Sequence, residues 1–295
     1  MKRPAGIHEL MLKRATALAS QDGSWVPPEA RPASTVVLLT DSPGGLSSYL
    51  MRRVPSMAFA AGMHVFPGGR VDDVDVAAQV EFTASPIDGH RMSAPSDLAR
   101  GIVVGAVREV FEETGVLLAV DEAGRTPVVD DAWDVDRDAV NSSSAEFPKV
   151  LARRGLAIDP DMLPLWSHWI TPEVEERRYD VRFFVAAVPQ GQPVRDVSGE
   201  ADRVLWVSPT DALRGYETNE IPMLPPTVAT LRELEDYRTV DDVLAAAAAR
   251  SIAPFLPRAR FAEGELVWEV VDARTGEVMW SMDGPPPDSE VRGTR

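Results

Sequence analysis

Three glutamates crowd into the segment GAVREVFEETGV, residues 105–116. On a helix, Glu109, Glu112 and Glu113 would stand at positions i, i+3 and i+4 and share one face. Carboxylates this close repel one another, whereas a divalent cation such as Mg²⁺ takes oxygen ligands and reverses that repulsion. The spacing therefore predicts either a metal–phosphate site or a solvated acidic face.

Two features of the same segment favour the metal–phosphate site. Gly105 lies one turn before Glu109, and Gly101 lies one turn earlier still, so this face has room for a bulky ligand or another backbone segment. Arg108 is placed where its guanidinium can brace the carboxylates. A face that is merely solvated has no need of such glycines.

The neighbouring residues predict a helix that would carry these carboxylates. We expect it to run from about 97 to 114, to be capped by Ser96 and to end at Gly115. An apolar stripe suited to a protein core lies beside the glutamates and comprises Val103, Ala106, Val107 and Val110.

Strand and helix signals interleave along the chain without strict alternation. This pattern predicts an α/β fold with a mixed sheet flanked by helices. Strands are predicted at 35–40, 49–53, 62–69 and 177–188, with polar segments at 76–97 and 121–138 and a loop at 166–173. Helices are predicted near 144–154, 224–236 and 240–250, with another capped by Ser208 or Thr210, and a hairpin from Phe261 to Trp280.

Composition limits the classes of partner. The net charge of −16 over 295 residues argues against a nucleic-acid backbone, which needs a broad basic surface. No apolar run is long enough for a membrane span, and the N-terminal 20 residues resemble a short amphipathic helix more than a signal peptide. The absence of cysteine excludes disulfides and thiol catalysis and fits a reducing, cytoplasmic location.

The acidic segment resembles a known motif. Residues 108–116, REVFEETGV, match the second half of the Nudix box, R-E-U-x-E-E-x-G-U, where U is aliphatic. The first half of that box, a glycine followed after five residues by glutamate, resembles FPGG at 66–69, with Asp75 in the glutamate's place. The box has seven residues before its arginine, whereas 32 residues separate Asp75 from Arg108, so an insertion of about 25 interrupts it.

An interrupted box narrows the resemblance to one branch of the Nudix hydrolases. It resembles the coenzyme A diphosphatases of peroxisomes and mitochondria, whose box is also split by an insertion. The segments that carry this further likeness are WSHWITP at 166–172, ERRYDVRFFVA at 176–186, EADRVLWVSPTDAL at 200–213 and NEIPMLPPTVATLRELEDY at 219–237.

The resemblance implies an architecture. We expect a Nudix α/β/α sandwich with a mixed β-sheet, an insertion within the box and a C-terminal extension. The corresponding divisions are residues 1–32 for an N-terminal helix and linker, 33–240 for the Nudix domain with its insertion at about 76–97, and 241–295 for a helix and hairpin.

The resemblance also implies roles for the box residues. Glu112 and Glu113 would be ligands of Mg²⁺ or Mn²⁺, and Glu109 would be a ligand or the group that orients and deprotonates the attacking water. Arg108 would be the ion-pair partner of the carboxylates, and Gly69 would let the loop backbone approach them. The reaction is then carried by Glu109, Glu112 and Arg108.

Other residues are candidates for contacts with substrate. They are Gly68, Gly69, Arg70, Arg178 and Glu200. Arginines of this kind more commonly form surface ion pairs than phosphate contacts. Glu200 is more commonly explained as a solvated carboxylate than as a ligand. His64 could face the site or make a structural hydrogen bond, and the aromatic residues Trp166, Trp169, Phe183 and Phe184 suit core packing better than adenine stacking.

The expected reaction is metal-dependent hydrolysis of a diphosphate linkage in coenzyme A or an acyl-coenzyme A, giving 3′-phospho-ADP and phosphopantetheine or its acylated form. NADH, ADP-ribose and nucleoside diphosphate sugars are alternative substrates, and a non-catalytic nucleotide sensor is an alternative of another class. The expected partner is a small-molecule diphosphate, and a second copy of the chain is a further expected partner, in a homodimer. We expect no binding to nucleic acid or to a membrane.

Overall fold

The computed structural model describes residues 5–20, 23–55, 60–195, 199, 201–262 and 265–281. Their helices are α1 (Ala5–Ser20), α2 (Asp73–Val76), α3 (Ser96–Thr114), α4 (Asp134–Ser142), α5 (Phe147–Arg154), α6 (Pro209–Glu217), α7 (Pro225–Leu234) and α8 (Val240–Ala249). Their strands are β1 (Arg31–Ser42), β2 (Gly45–Arg53), β3 (His64–Val65), β4 (Gly68–Arg70), β5 (Leu165–Ile170), β6 (Tyr179–Ala187), β7 (Ala201–Val207), β8 (Pro254–Ala262), β9 (Glu265–Asp272) and β10 (Val278–Ser281).

The chain divides into two compact units. The larger unit consists of Ala33–Ser167 and Arg182–Arg250. The smaller unit consists of Met1–Pro32, His168–Val181 and Ser251–Arg295. In the larger unit the strand order is β5-β6-β1-β2-β3, with β4 paired to β1 and β7 paired to β2.

Strand β1 holds the FPGG segment in place. Its central residues, Val36 to Leu39, are fully buried, as a strand with both faces covered requires. Ser34 pairs with Gly69 and Thr35 with Gly68, and the Val36 amide donates to the carbonyl of Pro67 at 2.8 Å. Gly68 has a φ of 147°, and a Cβ there would lie 2.2 Å from the Ser34 carbonyl oxygen, so only glycine fits.

Helix α3 carries the acidic segment. All four residues of the predicted apolar stripe are buried, and Gly115 ends the helix in the left-handed conformation with φ 75°, as predicted. The predicted cap is wrong: Ser96 is the first helical residue and Pro95 occupies the N-cap, without a side-chain hydrogen bond. The fixed φ of proline and its missing N–H suit a position beside a helix start, so the helix begins here without a side-chain cap.

The loop predicted at 166–173 is wrong, and the polar segment at 121–138 includes a helix start. Residues 166–173 begin with β5, in which Trp166 to Trp169 are all buried, so the strand lacks the alternation that would reveal it. The polar stretch 121–138 contains the start of α4, whose first turn carries Asp134 and Asp136. Acidic residues stabilise the N-terminus of a helix, so polarity here signals a helix start.

The predicted C-terminal hairpin is present in the smaller unit. Strand β9 pairs antiparallel with β10, from Val271–Val278 to Glu269–Ser281. Strand β8 pairs with the other edge of β9 and runs parallel to β5 through His168–Pro254. The sheet is therefore mixed, as predicted. None of the helices in the described ranges has the length and apolar character that crossing a bilayer demands.

Candidate active site

Arg108 is the centre of the charged cluster on α3. Its side chain is only 3% exposed. Nε and Nη2 donate to the two carboxylate oxygens of Asp75 at 2.9 and 2.8 Å. Nη1 donates to Oε1 of Glu109 at 3.0 Å and to both carboxylate oxygens of Glu112 at 3.2 Å. Burial alone would lower the pKa of Arg108, but the hydrogen bonds to Asp75 and the nearby carboxylate charges raise it well above its ordinary value.

Asp75 occupies the position of the first-half glutamate and is buried at the α2–α3 contact. Its Oδ2 also accepts a hydrogen bond from the Asp72 amide at 2.8 Å. A Cβ at Gly105 would lie 3.2 Å from Asp75 Oδ2, and a Cβ at Gly101 would lie 2.7 Å from a methyl of Val76. The two glycines therefore admit another backbone segment, α2, which was one of the two predicted explanations for them.

Glu109 lies directly against the FPGG segment. A Cβ on Gly69 would be 2.5 Å from the Glu109 carboxylate, so glycine is what allows the two half-motifs to meet. The Glu109 side chain is 16% exposed. Burial raises its pKa to about 7, against the opposing effect of Arg108, and the charge of Glu112 adds to the rise.

The other two glutamates point in different directions. Glu112 accepts a hydrogen bond from the same Arg108 nitrogen, Nη1, as Glu109 does. Burial raises the pKa of Glu112 above its ordinary value. Glu113 is buried, and its Oε2 accepts a hydrogen bond from the Gly68 amide at 2.8 Å. This bond ties the end of α3 to the start of β4.

The donor set fits a hard divalent cation. Glu109 and Glu112 are two poorly solvated carboxylates that share one guanidinium nitrogen, so additional positive charge would stabilise them. Mg²⁺ is commonly held by one or two carboxylates, with water and phosphate oxygens completing its shell. Within the ranges that the structure describes, no three acidic or histidine side chains already converge on one point, so the fit rests on this pair.

The structure brings some of the predicted substrate-binding residues together. Gly68, Gly69 and Arg70 form β4 beside the carboxylates, and the Arg70 carbonyl accepts a hydrogen bond from Arg108 Nη2 at 3.1 Å. Arg178 belongs to the smaller unit, where its guanidinium donates to the carbonyls of Thr171 and Pro28 at 3.1 and 2.9 Å. Glu200 lies outside the described residues.

The secondary candidates are all buried. His64 is fully buried in β3, its amide donates to Pro222 at 2.8 Å, and burial lowers its pKa. Neither of its ring nitrogens has a partner among the described residues. The four aromatic residues pack into cores, as expected, and are Trp166, Trp169, Phe183 and Phe184.

Sequence reasoning misses the part played by Asp72. Its carboxylate lies between Arg70 Nη2 and the hydroxyl of Ser144, at 3.1 Å from each. The motif places Asp72 close to the glycines in sequence, but nothing in the sequence connects it with a serine 72 positions later.

Comparison with known proteins places this site in a family. A family described as the NUDT19 Nudix domain matches residues 79–234, just over half of the chain. The matched range includes α3 but begins after FPGG. The contacts of Gly68 and Gly69 with the α3 glutamates are therefore separate support for the first half of the motif.

Relatives and a solved structure agree with this family. The chain is 28% identical over 238 residues to the acyl-coenzyme A diphosphatase NUDT19 of Homo sapiens, covering 68% of this chain and 63% of that protein. It is 24% identical to the Xenopus laevis protein of the same name, covering 66% and 61%. The chain thus spans less than two thirds of either relative. A crystal structure of a Nudix hydrolase from Alicyclobacillus acidocaldarius is 26% identical, with a TM-score of 0.62 over 74% of this chain and 96% of that one. The predicted Nudix fold is confirmed.

Proposed function

Because the chain belongs to the NUDT19 Nudix domain family, we propose that it hydrolyses the diphosphate linkage of coenzyme A or an acyl-coenzyme A. The products would be 3′-phospho-ADP and phosphopantetheine or its acylated form. The observation that carries the proposal is the junction of the two half-motifs, in which Gly69 lies against Glu109 and the Gly68 amide binds Glu113. The relatives named acyl-coenzyme A diphosphatase support the choice of substrate.

We assign Glu109, Glu112 and Glu113 as the residues that would hold Mg²⁺ or Mn²⁺. Such a cation supplies positive charge that offsets the charge of the phosphoryl oxygens and lowers the pKa of a bound water. Glu113 would have to exchange its bond with the Gly68 amide or share the carboxylate, because Oε2 is engaged there. Glu109 and Glu112 are already adjacent.

Arg108 orients the carboxylates for the reaction. Its bidentate pair with Asp75 fixes the guanidinium plane, and its Nη1 then sets the positions of Glu109 and Glu112. A misplacement of about 1 Å in such a constellation can cost roughly 100-fold in rate. We therefore assign Arg108 and Asp75 as positioning residues.

Glu109 is our candidate for the proton acceptor. Arg108 engages its Oε1, and Oε2 remains for a cation or a proton. Without a bound cation, burial raises the pKa of Glu109 to about 7, so this carboxylate can take up a proton near neutral pH. The Glu109 side chain is only partly exposed to bulk water.

The partner in this proposal is a small-molecule diphosphate, and the location is a reducing compartment such as the cytoplasm. The support for the location is the absence of cysteine from the sequence.

A substrate panel tests the proposal. The protein is incubated with coenzyme A, acetyl-coenzyme A, NADH and ADP-ribose in Mg²⁺ or Mn²⁺, and the products are separated by chromatography. We expect 3′-phospho-ADP from the first two substrates. Cleavage of ADP-ribose with coenzyme A intact would transfer the assignment to another substrate, and no cleavage of any compound would favour a nucleotide sensor.

A further inference from the structure

Arg70 has a fixed backbone and an exposed side chain. Its carbonyl oxygen is bound by Arg108 at 3.1 Å, and the preceding Gly69 lies against the Glu109 carboxylate. The Arg70 side chain is nevertheless 51% exposed. The Arg70 backbone is thus fixed beside the acidic pair, while its guanidinium extends into solvent.

Among the described residues, one ion-pair contact holds the Arg70 side chain. Arg70 Nη2 lies 3.1 Å from Asp72 Oδ1, and the Asp72 side chain is itself 33% exposed. The second oxygen, Oδ2, accepts a hydrogen bond from Ser144 at 3.1 Å, which fixes the carboxylate toward Arg70. An exposed pair with one contact adds little to stability, so a stronger anion can replace Asp72.

A phosphate group is such an anion. Guanidinium binds phosphate through two parallel hydrogen bonds, with more charge and better geometry than the single contact to Asp72. In a chain of net charge −16, a cationic side chain in addition to the proposed metal ion would favour a substrate diphosphate that approaches Glu109 and Glu112. Arg108 cannot serve, because it is buried and its nitrogens are engaged with Asp75, Glu109 and Glu112.

We propose that Arg70 binds a phosphate of the substrate and that Asp72, held by Ser144, is the carboxylate from which the substrate displaces it. Asp72 is then a positioning residue that keeps the guanidinium away from Glu109 and Glu112 before substrate binds. The identity of the substrate rests on the proposed function, whereas the exchange between Asp72 and phosphate rests on these contacts.

Arg70→Gln tests the phosphate contact. The variant keeps the backbone bond to Arg108, which uses only the carbonyl. We expect the KM for coenzyme A to rise roughly tenfold with kcat nearly unchanged, the pattern of a lost ground-state contact. The matched control is Arg125→Gln, which removes an exposed arginine paired with Asp121 and changes the net charge equally. The control should keep the wild-type KM.

Asp72→Asn tests the exchange. Asparagine keeps the shape, the bond from Ser144 and a good N-cap for α2, so the fold is preserved. We expect KM to fall roughly threefold, because the substrate no longer competes with a carboxylate for Arg70. Asp121→Asn is the control for the change in charge.

The double variant separates this mechanism from general electrostatics. If Asp72 acts through Arg70, Asp72→Asn leaves KM unchanged in the Arg70→Gln background. If the same fall in KM persists there, Asp72 acts by charge alone and the exchange is wrong. An Arg70→Gln KM equal to that of Arg125→Gln overturns the phosphate contact while the proposed function stands.

A protein that cleaves no diphosphate would overturn the proposed function, but the contact would still be tested. Binding of inorganic pyrophosphate in Mg²⁺, measured by calorimetry, should then be weaker for Arg70→Gln than for Arg125→Gln. Equal binding by the two variants would overturn the inference.

Discussion

At the scale of single residues, Arg108 determines the geometry of the site. It contacts Asp75, Glu109 and Glu112, and it is buried. Buried ion pairs of this kind add little net stability, but the loss of one partner leaves charges without compensation.

We therefore expect Arg108→Met to destabilise the fold strongly. We expect the free energy of unfolding, measured with urea in EDTA, to fall by about 3–5 kcal/mol because Asp75 is left as an unpaired buried carboxylate. Arg125→Met removes an exposed pair with Asp121 and should cost far less than Arg108→Met. Equal losses in the two variants would contradict the central position of Arg108.

The raised pKa of Glu109 predicts how stability depends on pH. Its folded pKa of about 7 lies above the ordinary 4.5, so the fold favours the neutral form. The contribution to stability is complete below about pH 4.5 and is lost as pH rises through 7. In EDTA, Glu109→Gln should therefore be more stable than wild type at pH 8, by roughly 1–3 kcal/mol.

Urea unfolding of both proteins at pH 8 and pH 5 measures this difference. It should shrink at pH 5, where most of the wild-type Glu109 is protonated in the fold. A variant that is less stable than wild type at pH 8 would show that Glu109 is stabilised as a carboxylate by Arg108 more than it is destabilised by burial.

At the scale of secondary structure, the proposed active site depends on the contact between β4 and α3. The sequence predicts α3, its apolar stripe and its glycine end, because these follow from local periodicity and capping. It does not predict that Gly69 meets Glu109, since that contact depends on the pairing of β4 with Ser34 and Thr35 of β1. The contact between the two segments is indicated by the resemblance to the Nudix box, and the periodicity of the sequence does not indicate it.

Gly69→Ala tests this contact. The added methyl would lie 2.5 Å from the Glu109 carboxylate, so either that carboxylate or the β4 backbone must shift. We expect turnover of coenzyme A to fall roughly 100-fold, the cost of a misplacement near 1 Å. Gly44→Ala is the control, because its added methyl would have only the Ser42 hydroxyl nearby, at 3.8 Å. Full activity in Gly69→Ala would mean that this close approach is not required.

The sequence predicts some helices and strands correctly and misses others. The hairpin at the C-terminal end and the cap at Ser208 follow from alternation and from side-chain chemistry. The sequence predicts a loop where strand β5 lies, because burial on both faces removes the alternation. A strand of that kind becomes recognisable only from its partners β6 and β8.

At the scale of the whole molecule, the insertion that divides the motif is a packed segment of the larger unit. Buried Arg182 donates to the carbonyl of Met92 through two nitrogens, at 3.0 and 2.9 Å. Arg91 donates to the carbonyls of Ala247 and Arg250 at the end of α8. The polar composition of 76–97 conceals these bonds, since each joins the insertion to a residue far along the chain and has a backbone carbonyl as its acceptor. The predicted domain limits at 32 and 240 and the homodimer stay predictions.

The central claim is that FPGG and the α3 glutamates form one hydrolytic site. Turnover of coenzyme A in Mg²⁺, followed by chromatography of 3′-phospho-ADP, tests it most directly in wild type, Glu112→Gln and the exposed-residue control Glu122→Gln. We predict product from wild type and the control and a loss of at least 100-fold in Glu112→Gln. Equal turnover by wild type and Glu112→Gln, or intact coenzyme A after incubation with wild type, would contradict it.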